Sequence, residues 1–204
     1  QKLEVPLLVV DTHWESISQA RMKGLRTLRG NPLSAQVDSI LDLTGLGTLL
    51  TMTPERERNA LLNQHFRRDF AAHRIYTVRN ERSGASERLQ ISSRHEGAPL
   101  GPEGLTFSKL SSLVSQGARF KATTLTEDFG FSQWQQESGK GRIALLALTP
   151  ERRVRVFSPA QPFEPAADWT LIYLETEPES AARRNAEKGE KTEKGDSGEA
   201  QARE

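Results

Sequence analysis

The chain begins with an apolar run that does not alternate, Pro6-Leu7-Leu8-Val9-Val10, closed by Asp11 and Thr12. A strand with one wet face would place a polar residue at every second position, so this run predicts a strand covered on both faces. The spacing then lengthens. Trp14, Ile17, Ala20 and Arg21 recur at helical intervals, and Gly24 can stop that helix in a left-handed cap. A second strand opens at Leu25 and runs toward Gly30 and Asn31. About a dozen residues between two strands suit a parallel crossover and are too many for a hairpin, which makes the unit a right-handed βαβ.

The same reading continues to residue 79. Ser34 caps a short helix running toward Leu41, with Val37, Ile40 and Leu41 on its buried side. Residues 43–47 turn the chain and residues 48–53 form a strand. Thr53-Pro54-Glu55-Arg56-Glu57 then predicts a helix start, with a Thr cap, proline at the first helical position and acids where the dipole favours them. Leu62, Phe66 and Phe70 follow at four-residue steps, with Leu61 and His65 beside them, so the helix is expected to reach Phe70 and His65 reads as structural. Residues 74–79 close the series as a strand, giving β-α-β-α-β-α-β.

Beyond residue 79 the pattern breaks. Residues 80–104 are rich in Gly, Ser, Arg and Glu and read as a linker or insertion with one short strand near 88–92, around Leu89 and Ile91. Phe107, Leu110, Leu113 and Val114 restore helical spacing until Gly117, and Phe107, Leu110 and Val114 are expected to form an apolar stripe that serves a symmetric interface. Short β-type runs follow at 119–125, 142–148, 153–157 and 169–174. The tetrapeptide Thr-Pro-Glu-Arg occurs twice, and at 149–152 the flanking strands make it a hairpin turn. Apolar residues nearly vanish afterwards, so residues 176–204 read as a disordered charged tail.

Length and charge narrow the function classes. The 204 residues can fill one large or two small domains, and 35% hydrophobic with 27% charged residues describe a soluble type. The longest apolar run, residues 143–148, falls far short of the roughly 20 residues a membrane helix needs. A net charge of +1 gives no general pull toward nucleic acid, and the clusters Arg67-Arg68 and Arg152-Arg153-Arg155 read as solvated faces. Without cysteine the chain has no disulfide, thiolate nucleophile or thiolate metal site, and His13, His65, His73 and His95 have no ligand spacing.

The candidate chemistry lies at Asp11. In nucleotide-binding βαβ folds an acid at the carboxyl end of the second strand accepts hydrogen bonds from ribose hydroxyls, about 20 residues after a glycine-rich turn. Only ten residues precede Asp11 here. The expected fold class is therefore α/β: a truncated Rossmann-like parallel sheet lacking its first strand and glycine loop, then a small β-rich α+β subdomain and the tail. On this reading Gln1-Lys2-Leu3-Glu4 is the end of the helix that follows the glycine turn, and the chain is a fragment. The competing reading makes Asp11 an ordinary helix cap before Trp14.

Four stretches carry a resemblance: Leu8-Val9-Val10-Asp11-Thr12; Ala20-Arg21-Met22-Lys23-Gly24-Leu25; Gly30-Asn31-Pro32-Leu33; and Thr51-Met52-Thr53-Pro54-Glu55 with Asn59. Together they resemble the RCK (regulator of potassium conductance) or Trk-type NAD-binding domains, and most closely the cytoplasmic C-terminal region of bacterial monovalent cation:proton (sodium/hydrogen) antiporters. The match covers residues 5–79. Residues 105–174 are loosely similar to the family's smaller C-terminal subdomain, with Asp168-Trp169-Thr170-Leu171-Ile172 where the family has a Gly-Asp-x-Leu strand. Gly30-Asn31 departs from the family's frequent Gly-Asp and carries no charge.

The resemblance implies a Rossmann-like lobe at 1–79, a linker at 80–104, a small subdomain at 105–175 and the tail beyond. It implies a ligand sensor with no catalytic role, binding NAD(H) or another adenine nucleotide, or no ligand in this chain alone, through Asp11, Thr12, Gly30, Asn31, Thr51 and Thr53. Its partners would be a second copy in a homodimer and a membrane transport domain, covalently or tightly associated, at the cytoplasmic face of the inner membrane, with no nucleic acid. Two other classes use the same residues. One is a dimerisation scaffold that has lost its ligand. The other is a fragment of a nicotinamide-dependent oxidoreductase, against which stands the lack of a recognisable acid/base arrangement.

Overall fold

A computed structural model describes residues 3–81, 96–138 and 141–176. The expected strand near 88–92 and the tail from residue 177 lie outside them. The fold is mixed α/β with parallel sheets. β1 (Leu8–Asp11) leads through α1 (Trp14–Met22) to β2 (Arg26–Arg29), and the two strands pair in parallel with Leu8 opposite Arg26 and Asp11 opposite Arg29. After α2 (Ala35–Asp38), β3 (Leu49–Thr51), α3 (Arg56–His65), β4 (Ile75–Thr77) and β5 (Ala98–Pro99) build a second parallel sheet in the order β3-β4-β5. The last strand of that sheet falls within the stretch read as a linker. Then α4 (Phe107–Ser115), β6 (Arg119–Thr124), α5 (Phe131–Ser138), β7 (Arg142–Leu148), β8 (Val154–Val156) and β9 (Thr170–Glu175) follow, and their strands form an antiparallel sheet in the order β6-β9-β7-β8.

Several boundaries differ from expectation, each for a local reason. β1 is only partly buried, because β2 is its sole hydrogen-bonded neighbour among the described residues. In α1 Ile17 and Ala20 face inward while Trp14 is 54% exposed, so the stripe is narrower than the spacing suggested. α3 starts at Arg56 with Glu55 as its N-cap, not at Thr53-Pro54: the Thr53 hydroxyl donates to the Glu55 carbonyl at 3.1 Å instead of capping a helix N–H. The helix tightens into a 3-10 turn over Phe66–Arg68, yet Leu62, Phe66 and Phe70 still pack together with Ile75.

The apolar stripe of α4 is also corrected. Leu110 is 7% exposed and joins a core with Tyr76, Val78, Leu100, Leu105, Leu145, Val156 and Leu174, against which Phe107 and Leu113 also pack. Val114, at 44%, remains in water, so two of the three residues expected at a symmetric interface, Phe107 and Leu110, pack into this chain's own core. That core also joins β4 of the parallel sheet to β7, β8 and β9 of the antiparallel one.

A second core of Leu125, Trp134, Ala147, Leu171 and Tyr173 includes residues of α5, which the sequence reading did not anticipate. Side chains alternate along a strand, so Leu171 and Tyr173 of β9 serve this core while Leu174 serves the other. In β7 a register irregularity between Ala144 and Leu146 shifts the phase, which places Ala144 and Ala147 together against the second core. Burial on two faces explains why residues 143–148 show no alternation. The repeated Thr-Pro-Glu-Arg does turn the β7–β8 hairpin, with Arg152 at φ 61° and its N–H donating to the Thr149 carbonyl at 2.8 Å.

The orientation of α3 is testable by paired truncations. Phe66, 4% exposed, should lose about 3–5 kcal/mol on Phe66→Ala. Leu61→Ala, at a position 55% exposed, should stay within about 0.5 kcal/mol of the parent in urea unfolding.

Candidate functional site

Asp11 ends β1 and is partly exposed. Its Oδ1 accepts from the His13 backbone N–H at 2.9 Å and lies 3.1 Å from His13 Nδ1. The N-cap of α1 is His13, with no side-chain capping bond, so Asp11 is not the helix cap of the competing reading; it closes a turn just upstream. The Asp11 carbonyl accepts from the Gly30 N–H at 2.9 Å, which brings the carboxyl ends of β1 and β2 together. Thr12 follows in the open. Arg29, opposite Asp11 in register, lies over the Trp14 ring at 5.8 Å.

Gly30 is required by close approach, since a Cβ there would collide with Val37 of α2. Asn31 begins the turn into that helix. Its Oδ1 accepts from the Leu33 N–H at 3.2 Å, and its carbonyl accepts from the Ser34 hydroxyl at 2.8 Å. Ser34 caps α2 as expected, accepting from the Val37 N–H. The structure therefore brings Asp11, Thr12, Gly30 and Asn31 to one end of the β1-β2 pair.

Thr51 and Thr53 stand elsewhere, at the end of β3. Thr51 is buried, and its hydroxyl is 3.0 Å from Asn63 Oδ1 and 2.6 Å from Thr77 Oγ1. The Thr53 N–H donates to Asn59 Oδ1 and its carbonyl accepts from Asn59 Nδ2, both at 3.0 Å. Asn80 Nδ2 donates to the Thr53 and Pro54 carbonyls at 3.0 and 2.6 Å, and Asn63 Nδ2 donates to Thr77 Oγ1 at 2.8 Å. A cleft of about 220 Å³ adjoins this network, lined by Asn59, Asn63, Thr77 and Asn80 with the Arg56–Glu96 ion pair.

Asn59 belongs to the stretch that carries the family resemblance, whereas Asn63, Thr77 and Asn80 lie outside the residues expected at the site. A usable signal was present: Asn59 and Asn63 are four residues apart, on one face of α3, and buried amides at that spacing demand partners.

Partial burial pushes the Asp11 carboxyl up, but the hydrogen bonds from the His13 main chain and ring, the charge on that ring and a bond from Ser16 together outweigh it and hold the group below its usual range. Asp38 is lowered by Arg68, which donates to both its oxygens at 2.9 and 2.8 Å, and by His65 at 3.1 Å, confirming His65 as a structural residue between α2 and α3.

No family model matches the chain, and no curated protein matches it. Among solved structures it is similar to the GsuK RCK domain, at 13% identity over 85% of this chain and 44% of that one with a TM-score of 0.30. It is also similar to the GsuK Channel, at 14% identity over 85% of this chain and 37% of that one with a TM-score of 0.33. The chain thus spans less than half of either neighbour.

The linkage of Asp11 has a definite sign. A carboxylate with a lowered native pKa stabilises the fold above its unfolded value, about 3.9, and that contribution fades as pH falls through the native value. Carboxyl-carbon NMR should give an Asp11 midpoint below the model-peptide value, and His13→Ala should move it part of the way upward, since the ring bond and ring charge are lost while the main-chain N–H of residue 13 still donates.

Proposed function

We propose that this chain is the regulatory, nucleotide-sensing part of a monovalent cation:proton antiporter. The observation that carries the reading is the pairing at the carboxyl ends of β1 and β2, where Asp11 and Gly30 are joined at 2.9 Å with Asn31 beside them. A ribose in a βαβ crevice meets an acid at such a position. A second observation supports it. The parallel strands form two sheets, β1-β2 and β3-β4-β5, and β1 and β3 each have an edge with no strand beside it among the described residues. In a doubly wound sheet of order 3-2-1-4-5-6, the strand carrying the glycine turn separates the acid-bearing strand from the fourth. Two half-sheets are what such a sheet leaves when that central strand is not among those paired.

In this reading Asp11, Thr12, Gly30 and Asn31 face the ribose of NAD(H) or another adenine nucleotide, and Thr53, with Thr51 buried behind it in the amide network, supports the ligand's surroundings from the separate end of β3. The role is sensing, not catalysis: a ligand that binds two arrangements unequally shifts their populations, with coupling of about 1–3 kcal/mol. No helix among the described residues is long and apolar enough to cross a membrane, so ion coupling falls to a separate transport domain at whose cytoplasmic face this part would sit. The four domain segments read from the sequence, and a homodimer through a surface other than the α4 stripe, belong to the same proposal.

Two experiments test it. Residues 1–204 alone should bind adenine nucleotides weakly or not at all, because backbone N–H groups of a glycine turn supply the phosphate site; tight calorimetric binding would mean the site is misplaced. In the transporter bearing this chain, Asp11→Ala should weaken the nucleotide response about tenfold, the scale of a lost charged hydrogen bond, while leaving exchange intact. Proton flux in everted vesicles, with and without nucleotide, reads both. Abolished exchange in an inserted, folded protein, or an unchanged nucleotide response, would overturn the role of Asp11.

A further inference from the structure

A larger cleft, of about 460 Å³, lies away from Asp11, on the antiparallel sheet beneath α5. Its walls are Phe131 and Trp134 of α5 with Phe157 and Phe163 of the segment after β8. The rings are ordered. Phe131 stacks on Phe157 at 5.6 Å and 21°, Phe157 on Phe163 at 4.7 Å and 27°, and Phe131 on Trp134 at 5.9 Å and 10°. Stacked in a row, the rings partly cover one another, with the Arg155 guanidinium 4.9 Å from the Phe163 centroid, and the parts that border the cleft offer flat apolar surface against which another flat system can lie in offset stacking. Pro102, Pro159 and Pro162 line it too, and their fixed φ limits the ordering that binding would cost.

The charge is one-sided. Arg142 is the only ionisable side chain among the described residues lining the cleft. It donates to Glu175 Oε1 at 2.9 Å, and Lys121 pairs with the other oxygen of the same carboxylate. Two cations share one anion, so the triad keeps a net positive charge beside an apolar slot whose other polar groups, such as Gln135 and Ser158, are neutral. We propose that this cleft binds a small planar aromatic anion, its ring among the phenylalanines and its acidic group toward Arg142. The volume lies within the usual range for small-molecule sites, roughly 300–1,000 Å³. A single cation suits one acidic group better than an extended peptide.

The probe is 2-naphthoate, compared with the neutral 2-naphthamide, titrated into the full 204-residue chain while following the Trp134 indole N–H by NMR. The acid should shift that resonance saturably and bind about tenfold more tightly than the amide. Arg142→Gln should erase the preference by weakening the acid alone, Phe131→Ala should weaken both, and Leu61→Ala, at an exposed position of α3, should change neither. If Phe131→Ala fails to fold, the acid-to-amide ratio in the parent and Arg142→Gln still decides. No saturable shift at Trp134, equal affinity for acid and amide, or tighter binding of a decaproline peptide than of the acid would each overturn the proposal.

Discussion

The fold turns on one small set of bonds, the carboxamide of Asn59 closed on the main chain of Thr53. Oδ1 takes the Thr53 N–H and Nδ2 reaches the Thr53 carbonyl, each at 3.0 Å, so a side chain completes both main-chain groups of a residue just past β3. Buried main-chain groups left unpaired cost as much as a lost hydrogen bond, and the chain here leaves a strand before any helix can satisfy it. Asn80 adds a second amide to the same carbonyl, while Asn63 and Thr77 meet the Thr51 hydroxyl below. The ends of β3 and β4 and the first turns of α3 are thereby held as one piece, and partly satisfied networks of this kind are far costlier than complete ones.

That constraint explains which features were legible in the sequence. The elements with long, clean patterns were readable: β1, α1, β2, the α3 stripe of Leu62, Phe66 and Phe70, and β6 to β9. The start of α3 was not, because Thr53-Pro54-Glu55 has every local helix-start feature and the distant Asn59 amide claims Thr53 first. Nor was α5, where Phe131 and Trp134 are a single helical step amid Ser and Gln, too few apolar positions to show a period. β5 is two residues long and borrows its order from β4.

The α4 stripe failed for a different reason. Its amphipathic spacing was real, but a sequence shows that a face must be covered and not by what. Here the cover is the chain's own β4, β7, β8 and β9, through a core that crosses from the parallel to the antiparallel sheet. Of the candidate site, Asp11 with Gly30 and Asn31 followed from strand endings, since parallel neighbours finish at the same edge. Thr51 and Thr53 sit at a strand end too, yet the hydroxyl of Thr51 is taken up by the network, a fate that depends on Asn63 and Thr77 and is invisible from Thr51 alone.

The two clefts are joined through β4. The Tyr76 hydroxyl donates to Gln161 Oε1 at 3.2 Å, and Gln161 Nε2 donates to the His73 carbonyl at 3.1 Å, so the segment that carries Phe157 and Phe163 is tied to the strand and to the turn before it. The Gly101 N–H adds a bond to the Phe157 carbonyl at 2.7 Å, from the residues just after β5. One residue past Tyr76, Thr77 enters the Asn63 and Thr51 network at the other cleft. Contiguity of this kind supplies a route, and it carries a signal only where an element along it has two arrangements that a ligand weights unequally. The short strand β4 lines the amide cleft at Thr77 and is tied through Tyr76 and Gln161 to the segment that carries the aromatic walls, so a shift in its end residues would reach both.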